Sequence, residues 1–276
     1  MNRVPDFYFV GPPRTATTWL HGVLAGKVGL PRGKETWFFD YRYDKGLAWY
    51  LDHFNHCSAD LPIGEIAPTY FCSELARQRM LDLSPAAKIV CIFRDPIPRL
   101  FSLWKMKRAY GKLRWSFEEA VNRDPEMIES SRYAFYLKAW QHDFGKARVL
   151  ATLFDDLVGD PQTYLDRITG FIGIPSIPLE PSESGFRFAS EDLRMPRSIL
   201  MTRIVVQVKE RLLSGFSEAS APHPVRIRVG KAVLGKGRRF PPLDVSVAES
   251  LRRQLLPEIE ALEDILNIDL AAWKPH

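Results

Sequence analysis

The segment from Phe7 to Leu24 constrains the fold of this chain more than any other stretch. Its first part, Phe7-Tyr-Phe-Val10, is aromatic and β-branched and therefore predicts a buried strand. Gly11-Pro12-Pro13 ends that strand, and apolar residues at helical spacing from Trp19 to Leu24 predict a helix that begins near Thr17. The first N–H groups of a helix have no partner within the helix and point outward. A strand, a tight loop and a helix N-terminus in this order therefore predict a site for an anion.

The residues of this loop indicate which anion it binds. Arg14 adds a positive charge, and Thr17 and Thr18 add hydroxyl donors, so the ligand should carry phosphate or a group of similar shape. The pattern of the P-loop nucleoside triphosphatases, G-x-x-x-x-G-K-[ST], is absent because neither a second glycine nor a lysine follows Gly11 at the required spacing. No acidic partner for magnesium stands out in the sequence. A metal-free anion site therefore agrees better with this loop than a site for Mg-ATP does.

Strands and helices alternate along the chain, which is typical of an α/β fold with a parallel sheet. Further strands are predicted over residues 63–66, 88–93 and 148–154. Helices are predicted up to about residue 27, over 47–51, 73–83, from 96 onward, over 117–145 and 157–172, and from about 251 to 266 with a restart or kink at Pro257, whereas 31–40 is predicted to be irregular. With no internal repeat and no low-complexity linker, the expected architecture is α/β, one domain over residues 1–276, with a doubly wound parallel sheet flanked by helices.

A second anion-binding position is predicted after the strand Lys88–Phe93. In a parallel α/β sheet, ligands bind outside the carboxyl ends of the strands, and Arg94 follows this strand as Arg14 follows the first one. Ser102 lies eight residues further on, about two helical turns into the next helix, and can face the same ligand. Two anion sites at one edge of the sheet are what a nucleotide with phosphates at both ends of its ribose requires.

The charge and cysteine content limit the class of protein. The 276 residues include 38 basic and 33 acidic side chains, a formal net charge of +5, which suits an anionic ligand but is too mild to indicate nucleic acid. The three cysteines show no paired spacing, so neither a disulfide framework nor a zinc site is expected, and a reducing compartment is favoured.

Targeting and membrane signals are weak. No stretch approaches the ~18 apolar residues of a membrane span, and no signal-peptide pattern precedes the first strand, so we expect a soluble, cytoplasmic protein. Residues 203–239 carry nine basic and two acidic side chains. This basic segment is either a solvated face or a patch that contacts a membrane surface peripherally.

Several motifs resemble those of the sulfotransferases. Pro13-Arg-Thr-Ala-Thr-Thr-Trp19 resembles their 5′-phosphosulfate loop, P-[KR]-[ST]-G-T-T-W, and Arg94-Asp-Pro-Ile-Pro-Arg-Leu-Phe-Ser102 resembles their 3′-phosphate motif, R-D-P-x-x-R-x-x-S. Segments 34–40 and 64–71 are similar to the heparan-sulfate branch and its bacterial relatives. Gly235-Lys-Gly-Arg238 resembles the late loop that closes over the nucleotide in that branch, and residues 265–273 resemble a common bacterial terminus.

The resemblance implies transfer of a sulfuryl group from 3′-phosphoadenosine 5′-phosphosulfate (PAPS) to a hydroxyl or amine of a small-molecule, lipid or saccharide acceptor, without a metal. The product nucleotide is 3′,5′-adenosine bisphosphate (PAP). Glu35 matches the catalytic glutamate of the family, which acts as the base, and Arg14 stabilises the transferring group. The implied nucleotide contacts are Arg14, Thr15, Ala16, Thr17, Thr18, Trp19, Arg94, Ser102, Lys236, Gly237 and Arg238.

The departures from the family pattern carry their own predictions. Arg14 replaces a lysine in many members, so it can stabilise charge but is a poor proton donor. Ala16 replaces a glycine, which predicts an ordinary φ there. Trp37 and Ile66 stand where the heparan-sulfate enzymes have a histidine and a catalytic lysine. Losing both cations argues against a glycosaminoglycan acceptor, and an apolar lining by these two residues suggests a smaller or more hydrophobic one.

Alternative interpretations remain open at this stage. Thr17 and Thr18 could be helix caps, Trp19 could be a core residue rather than a platform for adenine, and Lys34 could make Glu35 part of an ordinary surface ion pair. At the level of function, the alternatives are a magnesium-dependent nucleotide kinase of related architecture and a non-catalytic protein that binds anions or membranes through the basic segment.

Overall fold

The computed structural model of this chain describes residues 3–180, 193–196, 198–200, 202–204, 206–207 and 237–275. The described residues form two compact units, the first made of 3–95, 130–180 and 257–272, and the second of 96–129, the described part of 187–256, and 273–275. The prediction of one domain over 1–276 stays a prediction. Lys236 and most of the basic segment 203–239 lie outside the described residues.

The first unit contains a parallel sheet of four strands in the order β2-β1-β3-β4. The strands are β1 (Phe7–Gly11), β2 (Gly64–Ile66), β3 (Lys88–Phe93) and β4 (Val149–Leu153). Every residue of β1 and every residue of β3 after Lys88 is buried, because the sheet is covered on both faces. The predicted α/β fold with a parallel sheet flanked by helices is therefore confirmed.

Helices follow or precede each strand. In chain order they are α1 (Thr17–Leu24), α2 (Phe38–Tyr41), α3 (Leu47–Asp52), α4 (Glu74–Leu83), α5 (Pro96–Ala109), α6 (Phe117–Arg123), α7 (Pro125–Glu129), α8 (Tyr133–Phe144), α9 (Phe154–Gly159), α10 (Pro161–Ile172) and α11 (Val245–Leu266). Short 3-10 turns occur at Tyr43–Lys45, Pro68–Cys72, Lys146–Arg148 and Ala271–Trp273. Within these described elements, no helix is long and apolar enough to cross a bilayer.

Two of the predicted helical regions are wrong in extent. Residues 117–145 form three helices rather than one, and residues 157–172 belong to two helices that break at Asp160. The break between α6 and α7 and the break between α9 and α10 each lie at a residue before proline, where Cδ of the proline ring disfavours helical backbone. Asp124 and Asp160 are both extended, and the Asp160 carboxylate caps α10 by accepting from the N–H of Thr163.

Other boundaries differ less. The segment 31–40, predicted to be irregular, contains the start of α2, and α1 ends at Leu24 rather than near residue 27. α11 runs without interruption through Pro257, and it buries Leu251, Leu255, Ile259 and Leu262. Ser73 caps α4 by accepting a hydrogen bond from the N–H of Ala76.

Aromatic packing and buried polar contacts hold the helices of the first unit on the sheet. Phe71 packs edge-on against Phe93 at the end of β3, with ring centroids 5.8 Å apart. Trp140 of α8 is wholly buried and donates its indole N–H to the carbonyl of Phe71 at 3.0 Å. The α4–α8 contact also includes an ion pair between Arg77 Nε and Asp143 Oδ2 at 2.6 Å.

The second unit is built on α5, α6 and α7. Trp104 of α5 packs against Phe117 of α6 and Phe240, with centroid distances of 5.9 and 5.2 Å. Lys107 of α5 pairs with both Asp124 and Glu126. These contacts hold α6 and α7 against α5.

Candidate functional site

The loop between β1 and α1 has the strand–loop–helix geometry that its sequence predicts. Thr15 is wholly buried, and its hydroxyl donates to the carbonyl of Pro12 at 2.8 Å, which closes the loop on itself. Arg14 and Ala16 both have left-handed backbone, with φ of 74° and 64°. The prediction of an ordinary φ at Ala16 is therefore wrong. The loop turns sharply into α1 at this residue, and the alanine adopts the left-handed backbone that a glycine would adopt more easily.

Replacing Ala16 with glycine should stabilise the protein. A side chain in the left-handed region costs about 1–2 kcal/mol, and the extra freedom that glycine has in the unfolded chain offsets part of the gain, so Ala16→Gly should raise the free energy of unfolding by up to about 1 kcal/mol. Ala25 provides a matched control at the other end of α1, because its φ is −59°. Ala25→Gly should instead lower the free energy of unfolding by about 0.4–1 kcal/mol. Urea denaturation of both variants tests whether the free energy of unfolding rises in Ala16→Gly and falls in Ala25→Gly.

Neither threonine at the start of α1 acts as a cap. The N-cap is Ala16, and no side chain within the described residues caps the helix. Thr17 is buried, whereas Thr18 is exposed and its Oγ1 accepts from Lys34 Nζ at 3.0 Å. Trp19 is half-buried, which leaves both of its predicted roles open.

Arg94 meets the β1–α1 loop at the carboxyl edge of the sheet. Its Nη1 lies 3.5 Å from the carbonyl oxygen of Arg14, and its guanidinium lies 4.5 Å from the ring centroid of Phe154. The Tyr133 hydroxyl donates to the Arg94 carbonyl at 3.1 Å and fixes the backbone there. β1 and β3 are neighbours in the sheet, so the two arginines that follow them are brought together as the topology predicts.

The remaining described candidates for nucleotide contact belong to the second unit. Ser102 is buried on α5, and Arg238 is exposed. The carbonyl of Arg238 accepts from the N–H of Met195 at 2.8 Å in an antiparallel bridge. A Cβ on Gly237 would lie 1.9 Å from the Met195 carbonyl oxygen, so this position of the late loop requires glycine.

Glu35 is held by two side chains next to it in the sequence. Its Oε1 lies 3.3 Å from Lys34 Nζ, and its Oε2 accepts from the indole N–H of Trp37 at 3.0 Å. The Glu35 side chain is only 17% exposed, so its ion pair with Lys34 is not an ordinary surface pair. Because Lys34 also contacts Thr18, one cation links the candidate base to the first turn of α1.

A buried carboxyl group lies directly behind Glu35, and sequence reasoning missed it. Glu65 on β2 is wholly buried, and its Oε1 accepts from both the N–H and the hydroxyl of Thr36 at 2.7 Å. Tyr50 and Tyr70 donate their hydroxyls to the same carboxyl at 3.1 and 3.3 Å. Burial raises the pKa of Glu65 to about 7. An acidic residue inside a strand of otherwise apolar, buried positions was the available signal.

Ile66 does not serve the predicted acceptor lining. It is wholly buried, whereas Trp37 is partly exposed beside Glu35. The Arg42 guanidinium lies 5.0 Å from the ring centroid of Trp37 and 5.9 Å from that of Trp49. The exposed surface next to Glu35 is therefore aromatic and cationic rather than aliphatic.

Comparisons with known proteins point to the sulfotransferases. A model of the sulfotransferase family matches residues 67–178, a range that includes Arg94 and Ser102. The bifunctional heparan sulfate N-deacetylase/N-sulfotransferase 3 of Homo sapiens is 28% identical over 198 residues, which cover 63% of this chain and 23% of that protein. The corresponding protein 4 of Mus musculus is 29% identical with the same coverage. The matched part of the chain thus spans about a quarter of the length of these relatives.

The fold has a close structural counterpart as well. The crystal structure of a sulfotransferase from Alicyclobacillus acidocaldarius superposes with a TM-score of 0.69 at 19% identity, over 98% of this chain and 99% of that one. This similarity concerns the fold alone, whereas the family model and the relatives named above are similar in sequence. Residues 67–178 are thus similar to the sulfotransferase family, and the fold of the chain resembles that of a sulfotransferase.

Proposed function

We propose that this protein transfers a sulfuryl group from PAPS to a hydroxyl or amine of an acceptor. One arrangement carries the proposal: Arg94 contacts the β1–α1 loop at the Arg14 carbonyl, and Lys34 contacts both Glu35 and Thr18 in the first turn of α1. An anion site and a carboxylate base therefore lie in the same compact unit. This is the pairing that transfer between a nucleotide donor and an acceptor requires.

The reaction breaks the bond between sulfur and the oxygen that bridges it to the 5′-phosphate, and forms a bond between sulfur and the acceptor atom. The electron pair of the broken bond stays on the phosphate of PAP. We assign Arg14 and the N–H groups of Thr15 to Thr18 to the charge that develops there, since fixed donors at a developing anion are the strongest catalytic contribution available to such a site. Glu35 takes the proton that the acceptor loses. Lys34 keeps a positive charge between these two places.

The other nucleotide contacts follow from the sequence motifs. The motif that contains Arg94 and Ser102 is assigned to the 3′-phosphate, and Lys236, Gly237 and Arg238 to the late loop. Trp19 is assigned to the adenine.

The donor assignment can be tested by thermal shift. PAP should stabilise the protein strongly and 5′-AMP weakly, because only PAP carries the 3′-phosphate that Arg94 is proposed to bind. A ligand at 100 times its Kd raises the free energy of unfolding by about 2.7 kcal/mol. Equal shifts from the two nucleotides would overturn the assignment.

Matched arginine variants sharpen this test. Arg94→Gln should reduce the PAP shift to the 5′-AMP value. Arg167→Gln is the control, since Arg167 is a half-exposed arginine of α10 that pairs with Asp156. That variant should keep the full difference between PAP and 5′-AMP. A loss of the difference in both variants would point to an effect of net charge rather than to a 3′-phosphate site.

A further inference from the structure

The Glu65 carboxyl group lies in the first unit, and the transfer mechanism gives it no task. It is wholly buried on β2, opposite Tyr8 in the register of the sheet. Burying a carboxyl group is unfavourable unless hydrogen bonds compensate, and here four donors from three separate chain segments converge on it. Such a group requires an explanation, because an apolar side chain would fill the same space at lower cost.

The two shortest of these bonds both go to Thr36. The backbone N–H and the hydroxyl of this one residue donate to the same oxygen of Glu65, each at 2.7 Å. The Thr36 hydroxyl also accepts from the N–H of Phe38 at 3.1 Å, which fixes the backbone on the far side of Trp37. Thr36 is therefore held at its backbone and its side chain, and it cannot rotate independently of β2.

Thr36 is the residue between Glu35 and Trp37. Trp37 has left-handed backbone, with φ of 53°, a conformation that costs free energy for a bulky side chain and needs support from its surroundings. The turn brings its indole N–H to Glu35 Oε2. The geometry of this contact depends on the orientation of the peptide units on both sides of Thr36, and Glu65 sets that orientation.

We propose that Glu65 is a positioning residue that fixes the Glu35 carboxylate by holding Thr36. This inference rests on the proposed function for its catalytic consequence, although the positioning itself is a property of the structure alone. Glu65 acts through Thr36 and the Trp37 turn, and it does not touch the reacting atoms. A small displacement of a base from its acceptor is enough to slow a reaction by one or more orders of magnitude.

The position of the Glu35 carboxylate can be tested by NMR, without an assay of sulfuryl transfer. In protein carrying nitrogen-labelled tryptophan, the indole N–H resonance of Trp37, assigned with Trp37→Phe, reports its bond to Glu35. Thr36→Val removes the hydroxyl but keeps the β-branched shape, and Glu65→Leu removes the acceptor. Both should move this resonance, while Thr36→Ser, which keeps the hydroxyl, should leave it near its original position.

Thr152→Val is the matched control. Thr152 is another threonine of the first unit that is 1% exposed, like Thr36, and its hydroxyl lies 2.9 Å from the Tyr164 hydroxyl. It lies on β4, at the opposite edge of the sheet from β2, which carries Glu65. Its loss should cost similar stability and leave the Trp37 resonance unchanged. If Thr36→Val moves the resonance no more than Thr152→Val does, the positioning role is wrong, and because Thr36→Val is a mild change this holds even if Glu65→Leu does not fold.

The catalytic consequence has a separate readout. Transfer of radiolabelled sulfur from PAPS to the best acceptor in a panel of alcohols, phenols and amino sugars should show about a tenfold loss of kcat in Thr36→Val, with an unchanged PAP thermal shift and recovery in Thr36→Ser. A normal kcat in Thr36→Val would overturn the inference. If the wild-type protein transfers no sulfur to any acceptor and does not bind PAP, the proposed function fails, whereas the resonance still decides whether Glu65 positions Glu35.

Discussion

Glu35→Gln should lower kcat by about 10²–10⁴-fold and leave PAP binding intact. The range is that of a positioned general base, and glutamine keeps the size of the side chain and an acceptor for the Trp37 indole while removing its ability to take a proton. The contacts with Lys34 and the Trp37 indole hold this side chain in place for that role. Sulfur transfer and the PAP thermal shift, measured on the same preparation, separate chemistry from donor binding.

The control for this experiment is Glu260→Gln. Glu260 is an exposed glutamate on α11, so the same change of charge there should leave kcat within about twofold of wild type, as surface substitutions away from a site usually do. If Glu35→Gln also retains kcat within twofold, Glu35 is not the base. If it loses the PAP shift instead, Glu35 holds the donor rather than the proton.

The fold was predictable because its signals are local and strong. β3 is apolar from Ile89 to Phe93, and β1 is aromatic and β-branched, so both strands could be located from the sequence. The helix boundaries at Asp124 and Asp160 were missed although each precedes a proline, because the apolar periodicity continues across both breaks. Periodicity indicates which face of a segment is buried, but the pre-proline restriction decides where the helix stops.

The candidate site was predictable only where topology determines it. Arg14 and Arg94 follow neighbouring parallel strands, and any sheet of this order brings such residues to one edge. The contacts around Glu35 depend instead on the left-handed turn at Trp37 and on Glu65, which comes from a strand of only three residues about thirty positions further on. The hydrophobic periodicity of the sequence gives no signal for the contact between Thr36 and Glu65, because long-range packing between the 34–40 segment and the sheet determines it.

The backbone of Ala16 is a second case in which local rules were not sufficient. An alanine predicts ordinary φ by its own preference, yet the loop needs a sharp turn for α1 to begin where it does. The buried hydroxyl bond from Thr15 to the Pro12 carbonyl holds the loop in that turn. Tertiary structure overrides the preference of a single residue when the cost is only about 1–2 kcal/mol.

Glu65 should also make the stability of the protein depend on pH, and Glu65→Gln should remove that dependence. Burial raises the pKa of this carboxyl from its ordinary value of 4.5 to about 7, so the folded protein binds the proton more tightly than the unfolded chain does. The resulting stabilisation is fully present below about pH 4.5 and is lost as the pH rises through 7. Each unit of pKa difference corresponds to about 1.4 kcal/mol, so between about pH 5 and pH 8 the wild type should lose about 2–3 kcal/mol relative to Glu65→Gln.

Urea denaturation of the two proteins across this pH range checks the prediction, and the comparison isolates Glu65. Burial raises the pKa values of Tyr8, Tyr50 and Tyr70, so these neighbours stay neutral throughout the range. Burial also raises the pKa of Asp40, but Asp40 is present in both proteins and its contribution cancels. Parallel stability curves for wild type and Glu65→Gln would mean that Glu65 is ionised across the whole range. In that case the four hydrogen bonds to Glu65 stabilise its charged form by more than burial of the carboxylate costs.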